Sequence, residues 1–257
     1  MENRTSNGTG NAYENPDAAS RYSKYSGSND GQMQHELVKK TFRDFLLPDP
    51  KLSILDAGCG NGWLVNELST QYKTVCGIDI SPDLIKEAQN AYPGLNFQIA
   101  DVSSSLPFEK HSFDAIILNM VLHNVEDQVH ALKNLISILK PQGRILVTSV
   151  NSYYGYPVGV WKRHWWGRVL GRKPRLELRP YNHLTDKDRS FVWAKTIPAR
   201  LSPLPEQINN ALAAGLTLEH ISDLKITTDS DKFDFQYRLY RFPLITFMVF
   251  KNKNANA

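Results

Sequence analysis

Cysteine is scarce: of 257 residues only Cys59 and Cys76 are cysteine, and neither belongs to a C-x-x-C pair or a Cys/His cluster. That argues against a disulfide scaffold and against a structural zinc site, so no bound metal is expected. There is no run of about 18 apolar residues, which removes a membrane-spanning helix. Met1 to Asn11 are polar and lack the apolar stretch of a secretory leader, so the expected setting is cytoplasmic and reducing. Charge of one sign is not in strong excess either. Thirty Lys and Arg stand against 26 Asp and Glu, a net charge of +4, too mild on its own to indicate a nucleic-acid partner. No internal repeat is apparent. What is present, 41% hydrophobic, 22% charged and 11% aromatic residues, is ordinary for a folded globular chain with a sizeable core.

From Ser53 onward the pattern alternates between apolar runs and helix-like stretches. Ile54-Leu55 leads into Ala57-Gly58-Cys59-Gly60-Asn61-Gly62 and then a helical stretch from Trp63 to Gln71. Thr74 to Ile80 reads as a strand, and Ser81-Pro82-Asp83 as an N-cap with proline in the first turn of a helix reaching Ala91. Leu95–Ile99 and Phe113–Asn119 are predicted strands, Val125–Leu139 a helix and Arg144–Val150 a strand after a turn at Gly143. Nearly continuous apolar strands separated by helices predict a parallel sheet covered on both faces. After residue 200 a helix is predicted near Pro205–Ala214 with Gly215 as its C′ residue, then strands at about Thr217–Ile226 and Tyr240–Lys251.

The glycine spacing carries the chemistry. A dinucleotide fingerprint, G-x-G-x-x-G, needs a small residue where this chain has Trp63, and a phosphate-binding P-loop needs Gly-Lys-Ser/Thr, which is missing. Asp56-x-Gly58-x-Gly60-x-Gly62 instead lets the backbone approach a ligand of different bulk and charge. Together with Val75-Cys76-Gly77-Ile78-Asp79-Ile80, Phe97-Gln98-Ile99-Ala100-Asp101-Val102, Phe113-Asp114-Ala115 through Asn119-Met120-Val121-Leu122-His123, and Leu139-Lys140-Pro141-Gln142-Gly143-Arg144, it resembles the class I S-adenosylmethionine-dependent methyltransferases of the small-molecule type. The matching landmarks lie between about Lys51 and Val150.

That resemblance implies a Rossmann-like α/β fold: a seven-stranded, mostly parallel sheet in the order 3-2-1-4-5-7-6, its last strand antiparallel, with helices on both faces. It also implies S-adenosylmethionine as cofactor and S-adenosylhomocysteine as product. Asp56, Gly58 and Gly60 would lie beside the methionine part, Asp79 with Ile80 at the ribose, Asp101 with Val102 at the adenine, and Asn119 in the active-site loop. Tyr22 and Tyr25 resemble the tyrosine-bearing segment that folds over the cofactor. Residues 1–50 would then be a polar tail with lid helices and 51–257 the methyltransferase domain. Each landmark also has a structural reading: the glycines as a tight turn, Asp79 as flanking a helix N-terminus, Asp101 as a cap, and the Tyr22 segment as a helix packed on the sheet.

Methyl transfer from a sulfonium is an in-line displacement in which positioning supplies much of the rate, so few catalytic residues are required. His123, just after strand four, is the candidate general base if the acceptor carries a proton; it also fits a packed loop residue. His164, Tyr153 and Tyr154 are further candidates. They lie in a segment, about 151–204, that breaks the strand-helix rhythm and reads as an insertion. Residues 151–200 hold eleven basic and three acidic residues, +8, leaving −4 for the rest, and four of the five tryptophans. This composition suits a cap over an anionic or aromatic small molecule. It also suits stacking on RNA, contact with an anionic membrane through Trp165 and Trp166, or a small solvated core. Asn119-Met120-Val121-Leu122 lacks the Asn/Asp-Pro-Pro-aromatic sequence of exocyclic amino methylation. A noncatalytic or non-methylating cofactor-binding protein is the remaining alternative, because a binding motif does not specify an acceptor. Oligomeric state is not encoded in any feature above.

Overall fold

In a computed structural model, residues 16–151, 159–162, 170, 175–178, 190–191, 194–198, 202–224 and 245–253 are described. The apolar runs are the strands, and they are buried on both faces. Two helices, α1 (Pro16–Ser26) and α2 (Asn29–Phe45), precede β1 (Ser53–Ala57), α3 (Trp63–Ser69), β2 (Thr74–Asp79), α4 (Pro82–Ala91) and β3 (Asn96–Ile99). Then come β4 (Phe113–Asn119), a 3-10 turn at Leu122–Asn124, α5 (Gln128–Ile138) and β5 (Leu139–Val150). Four short strands follow, β6 (Gly159–Lys162), β7 (Arg175–Leu178), β8 (Ser190–Phe191) and β9 (Ala194–Pro198), and the chain returns through α6 (Leu204–Ala213), β10 (Leu216–Leu224) and β11 (Ile245–Asn252).

The main sheet runs β3-β2-β1-β4-β5-β11-β10. Its first five strands are parallel, and β11 is antiparallel to both β5 and β10. Setting aside the four short strands, this is the order 3-2-1-4-5-7-6 that the resemblance implies. Side chains alternate faces along each strand. Ile54, Ala115, Ile117 and Leu146 pack under α2, α3 and α4, whereas Leu55, Ile116, Leu118, Ile145 and Val147 pack under α5 and α6.

Local signals set most helix ends. Ser81 Oγ accepts the Leu84 N–H and Pro82 opens α4, as predicted. Gly215, at φ 102°, follows Ala214, the C-cap of α6. Two boundaries moved. Helix α5 begins at Gln128 rather than Val125, because Asp127 Oδ1 takes the His130 N–H at 2.9 Å and makes Asp127 the N-cap. Strand β5 begins at Leu139, ahead of Arg144, since Leu139 already pairs with Phe113 and the irregularity falls between Phe113 and Ala115. The ends of the last two predicted strands, at 225–226 and 240–244, lie outside the described residues.

Helix α2 belongs to the core: Val38 and Phe42 are fully buried, and Phe42 meets Phe247 edge-on at 5.9 Å. The insertion contains two antiparallel ladders separate from the main sheet, β6 with β7 and β8 with β9, and β9 lies against α1. Among the described residues no helix is long and apolar enough to cross a membrane.

Candidate functional site

Strands β1 to β4 end on one edge of the sheet, and Asp56, Gly58, Gly60, Asp79, Ile80, Asp101, Val102 and Asn119 are at or just beyond those ends, whereas Tyr22 and Tyr25 are on α1 and His123 is in the 3-10 turn. In parallel α/β sheets this carboxyl edge is where ligands bind. The glycine turn after β1 is tied to the end of β2. Gly58 and Cys59 both donate their N–H groups to the Ile78 carbonyl, at 2.7 and 2.9 Å. Gly60 N–H donates to Asp79 Oδ2 at 2.8 Å, and Ser81 N–H to Asp79 Oδ1 at 2.9 Å. The carbonyl of Asp79 accepts the Ala100 N–H at 3.0 Å, so the same residue steadies the loop that carries Asp101. A carboxylate offers about four lone-pair positions. With the Ile80 N–H also directed at it, about one remains on Asp79 for a further donor.

At Gly60, φ is 54° and a Cβ would stand 2.8 Å from Tyr22 Cε1; at Gly58, φ is 86° and a Cβ would stand 2.3 Å from Val121 Cγ2. The space left by these missing side chains is therefore used by the protein itself: the Tyr22 ring covers Gly60 and Val121 covers Gly58. Trp63, the residue that breaks the dinucleotide fingerprint, stacks on His35 of α2 with ring centroids 3.8 Å apart. Asn61 Nδ2 donates to Ser26 Oγ at 3.4 Å. Helices α1 and α2 thus hold the glycine turn at three points, Gly60, Asn61 and Trp63. Neither His35 nor Ser26 stands out in the sequence, since contact across some thirty residues leaves no local signal.

Asp56 is the least accessible acid of the site, 1% exposed, and its Oδ1 has no hydrogen-bond partner among the described residues. Burial, reinforced by the charge of Asp79, pushes its carboxyl up to about 8. Burial raises Asp79 as well, against the lowering effect of the N–H donors from Ser81, Gly60 and Ile80. The Tyr22 hydroxyl is raised by burial and then by Asp79 and Asp56. The buried thiol of Cys59 is raised in the same way, and that of Cys76 reaches about 12.

Further along the edge, Asp101 Oδ1 accepts the Ser103 N–H at 2.8 Å, the cap predicted as its structural reading, which leaves the second oxygen for another donor. Val102 and Ile80 are half-buried beside it, and the Val102 carbonyl is held by Asn134 Nδ2 at 3.1 Å. Asn119 Oδ1 accepts Thr148 Oγ at 2.6 Å. The next residue, Met120, has φ 61°, which turns the chain sharply over the end of β4. His123 lies beneath that turn, 2% exposed, with Nδ1 3.2 Å from Ser149 Oγ. Burial lowers it to about 4, so the ring is neutral near pH 7. These are the features of a packed histidine, and among the described residues Ser149 is the polar group bonded to it. Tyr153, Tyr154, His164, Trp165 and Trp166 lie outside the described residues.

Residues 55–147 match a family model described as a methyltransferase domain. An uncharacterized methyltransferase of Schizosaccharomyces pombe is 41% identical over 99 residues, 37% of this chain and 36% of that protein. A polyketide synthase-nonribosomal peptide synthetase of Aspergillus clavatus is 24% identical over 213 residues, 74% of this chain and 5% of that protein. The match therefore spans a minor part of these relatives' length. Among solved structures, an S-adenosylmethionine-dependent methyltransferase from Mesorhizobium loti superposes with a TM-score of 0.67 at 21% identity, covering 88% of this chain and 99% of that one, which shows the shared fold.

Proposed function

We propose that the chain, which matches a methyltransferase domain at residues 55–147 and shares the fold of S-adenosylmethionine-dependent methyltransferases, uses that cofactor to transfer a methyl group to oxygen or nitrogen of a small-molecule acceptor. The observation that carries the cofactor half of this reading is the pairing of two buried acids at the glycine turn. Asp79 keeps about one acceptor position, and Asp56 keeps a buried oxygen that no described residue bonds. A ribose hydroxyl suits the first and a positive charge the second, so the residues present fit the cofactor. In this assignment Gly58 and Gly60 flank the methionine part, Asp79 and Ile80 the ribose, Asp101 and Val102 the adenine, and Asn119 the reacting end, with Tyr22 closing over the turn.

When bound, the cofactor supplies a methyl group on a sulfonium whose leaving group needs no further activation. The protein's part is to hold the acceptor in line and exclude water. If the acceptor nucleophile carries a proton, His123 is the proposed proton acceptor, acting through Ser149. Its neutral ring can accept a proton, although burial weakens it as a base. Residues 51–257 form the proposed methyltransferase domain, α1 the lid beside the core helix α2, and about 151–204 the substrate cap, whose charge and tryptophans favour an anionic or aromatic acceptor. Similarity to part of a polyketide and peptide synthetase supports the small-molecule reading.

Two measurements test it. Calorimetric titration with S-adenosylmethionine should show one site, and Asp79→Ala should weaken it at least about tenfold, the loss of hydrogen bonds to a charged acceptor. Cell extract incubated with the protein and methyl-labelled cofactor should yield a labelled small molecule by mass spectrometry. Cofactor binding without S-adenosylhomocysteine formation would point to a non-methylating role. A second reading, transfer to RNA, rests on the +8 charge of residues 151–200. It requires bulk tRNA binding that weakens steeply with salt, and absent or salt-insensitive binding removes it.

A further inference from the structure

The turn after β1 gathers acids without bases. Asp56 on β1 faces Asp79 and Cys76 of β2, Cys59 of the turn itself and Tyr22 of α1. No lysine, arginine or histidine is among the described groups that act on any of them. Val121 covers the neighbouring Gly58 and Ile117 of β4 pairs with Asp56, and neither carries a titratable side chain. Two features set Asp56 apart within this group. Asp79 receives N–H donors on both oxygens, which is how a buried carboxylate is kept charged. Asp56 is as deeply buried and has an oxygen that receives none.

An ionised carboxyl so placed faces a second negative charge and has a buried oxygen without a donor among the described residues, both of which disfavour ionisation. A cofactor cation reverses that balance. We propose that cofactor binding is coupled to release of a proton from the Asp56 carboxyl, so that Asp56 is neutral in the free protein and becomes the carboxylate that offsets the cofactor's positive charge in the complex. This inference rests on the cofactor reading above. The balance is simple: the O–H bond of Asp56 breaks, the proton passes to solvent buffer, and the carboxylate formed is matched by the incoming cation. The cofactor carries positive charge at its ammonium and at its sulfonium, the product at its ammonium only. The elevated value of about 8 for Asp56 agrees with a protonated free state near neutral pH.

The test is calorimetric titration of the full chain at pH 6.5 with S-adenosylmethionine and separately with S-adenosylhomocysteine, each in three buffers of different ionisation heat. The expected slope of heat against buffer ionisation heat corresponds to about one proton released, with affinity rising about tenfold per pH unit below 8. Release with both ligands assigns the ammonium as partner, and release with S-adenosylmethionine alone assigns the sulfonium. Tight binding with no proton released by either ligand overturns the inference and leaves the cofactor reading intact, whereas no binding of either ligand overturns both. Asp56→Asn should bind without releasing a proton. Should that variant not fold, carbon-13 carboxyl titration of the wild-type protein decides: an Asp56 resonance already ionised at pH 6.5 without ligand overturns the inference.

Discussion

A methyl group added at Gly60 would lie 2.8 Å from the ring of Tyr22, on a backbone at φ 54°. Gly60→Ala should therefore destabilise the protein by about 1–2 kcal/mol from the left-handed backbone alone and push Tyr22 off the turn. Thermal melting checks the first effect. In a Tyr22→Ala background the same Gly60→Ala change should cost only the backbone part, because the steric clash is gone. His123 calls for a different comparison. His123→Ala leaves the buried Ser149 hydroxyl without its partner, a cost of about 1–3 kcal/mol. Cofactor affinity should stay near that of the wild type. If His123 accepts the proton, turnover falls by about a hundredfold or more; unchanged turnover alongside the lowered melting temperature would make its role packing alone. At this scale residue types were legible in the sequence but their surroundings were not. Asp56 could be picked out from its place before the glycines. That one of its oxygens is buried without a donor depends on Asp79, 23 residues away, and on Tyr22, 34 residues in the other direction.

Elements of this chain were legible where their signals are local. Ser81-Pro82 and Gly215 mark helix ends because a cap needs only its own turn, and both stand where predicted. Ser81→Ala should cost about 1 kcal/mol, read as a drop of about 2–4 °C in melting temperature for a chain of this size. Asp127 is also a local cap but was passed over, because the apolar Val125 invited an earlier start to α5. Helix α1 gave less away, since its role is a contact. Tyr22 on Gly60, Ser26 to Asn61, and Ser23 Oγ donating to Glu87 join it to the glycine turn and to α4. If α1 closes on bound cofactor, limited proteolysis should cut within residues 16–28 more slowly when S-adenosylmethionine is present. Equal cleavage rates with and without ligand would make α1 a fixed part of the fold. The short strands β6 to β9 were invisible in sequence because two to five residues are too few to establish a period of two.

The whole molecule adds a pH dependence that no single element possesses. Asp56 holds its proton more tightly folded than unfolded, so in the free protein stability falls as pH rises from about 4 through 8 and then levels. His35 and His123, both lowered to about 4, act in the opposite sense: the unfolded chain binds more protons below 6.5, and stability falls as pH drops from there toward 4. Between about pH 6.5 and 8 the histidines no longer contribute. The melting temperature of the free protein should decline over that window, and Asp56→Asn should flatten the decline, with the two proteins converging near pH 4. A decline of equal slope in the variant would place its source elsewhere. The sequence by itself determined the strand-helix rhythm, the glycine turn, the acids at the strand ends and the family they point to, since each is written in neighbouring residues. Only the tertiary structure decided that α2 is core, that Tyr22 and Val121 occupy the space the glycines leave, that Trp63 stacks on His35, and that Asp56 is a buried acid beside another acid. Those outcomes depend on residues brought together from distant parts of the chain, and the energy of a buried charge is set by all of its neighbours at once.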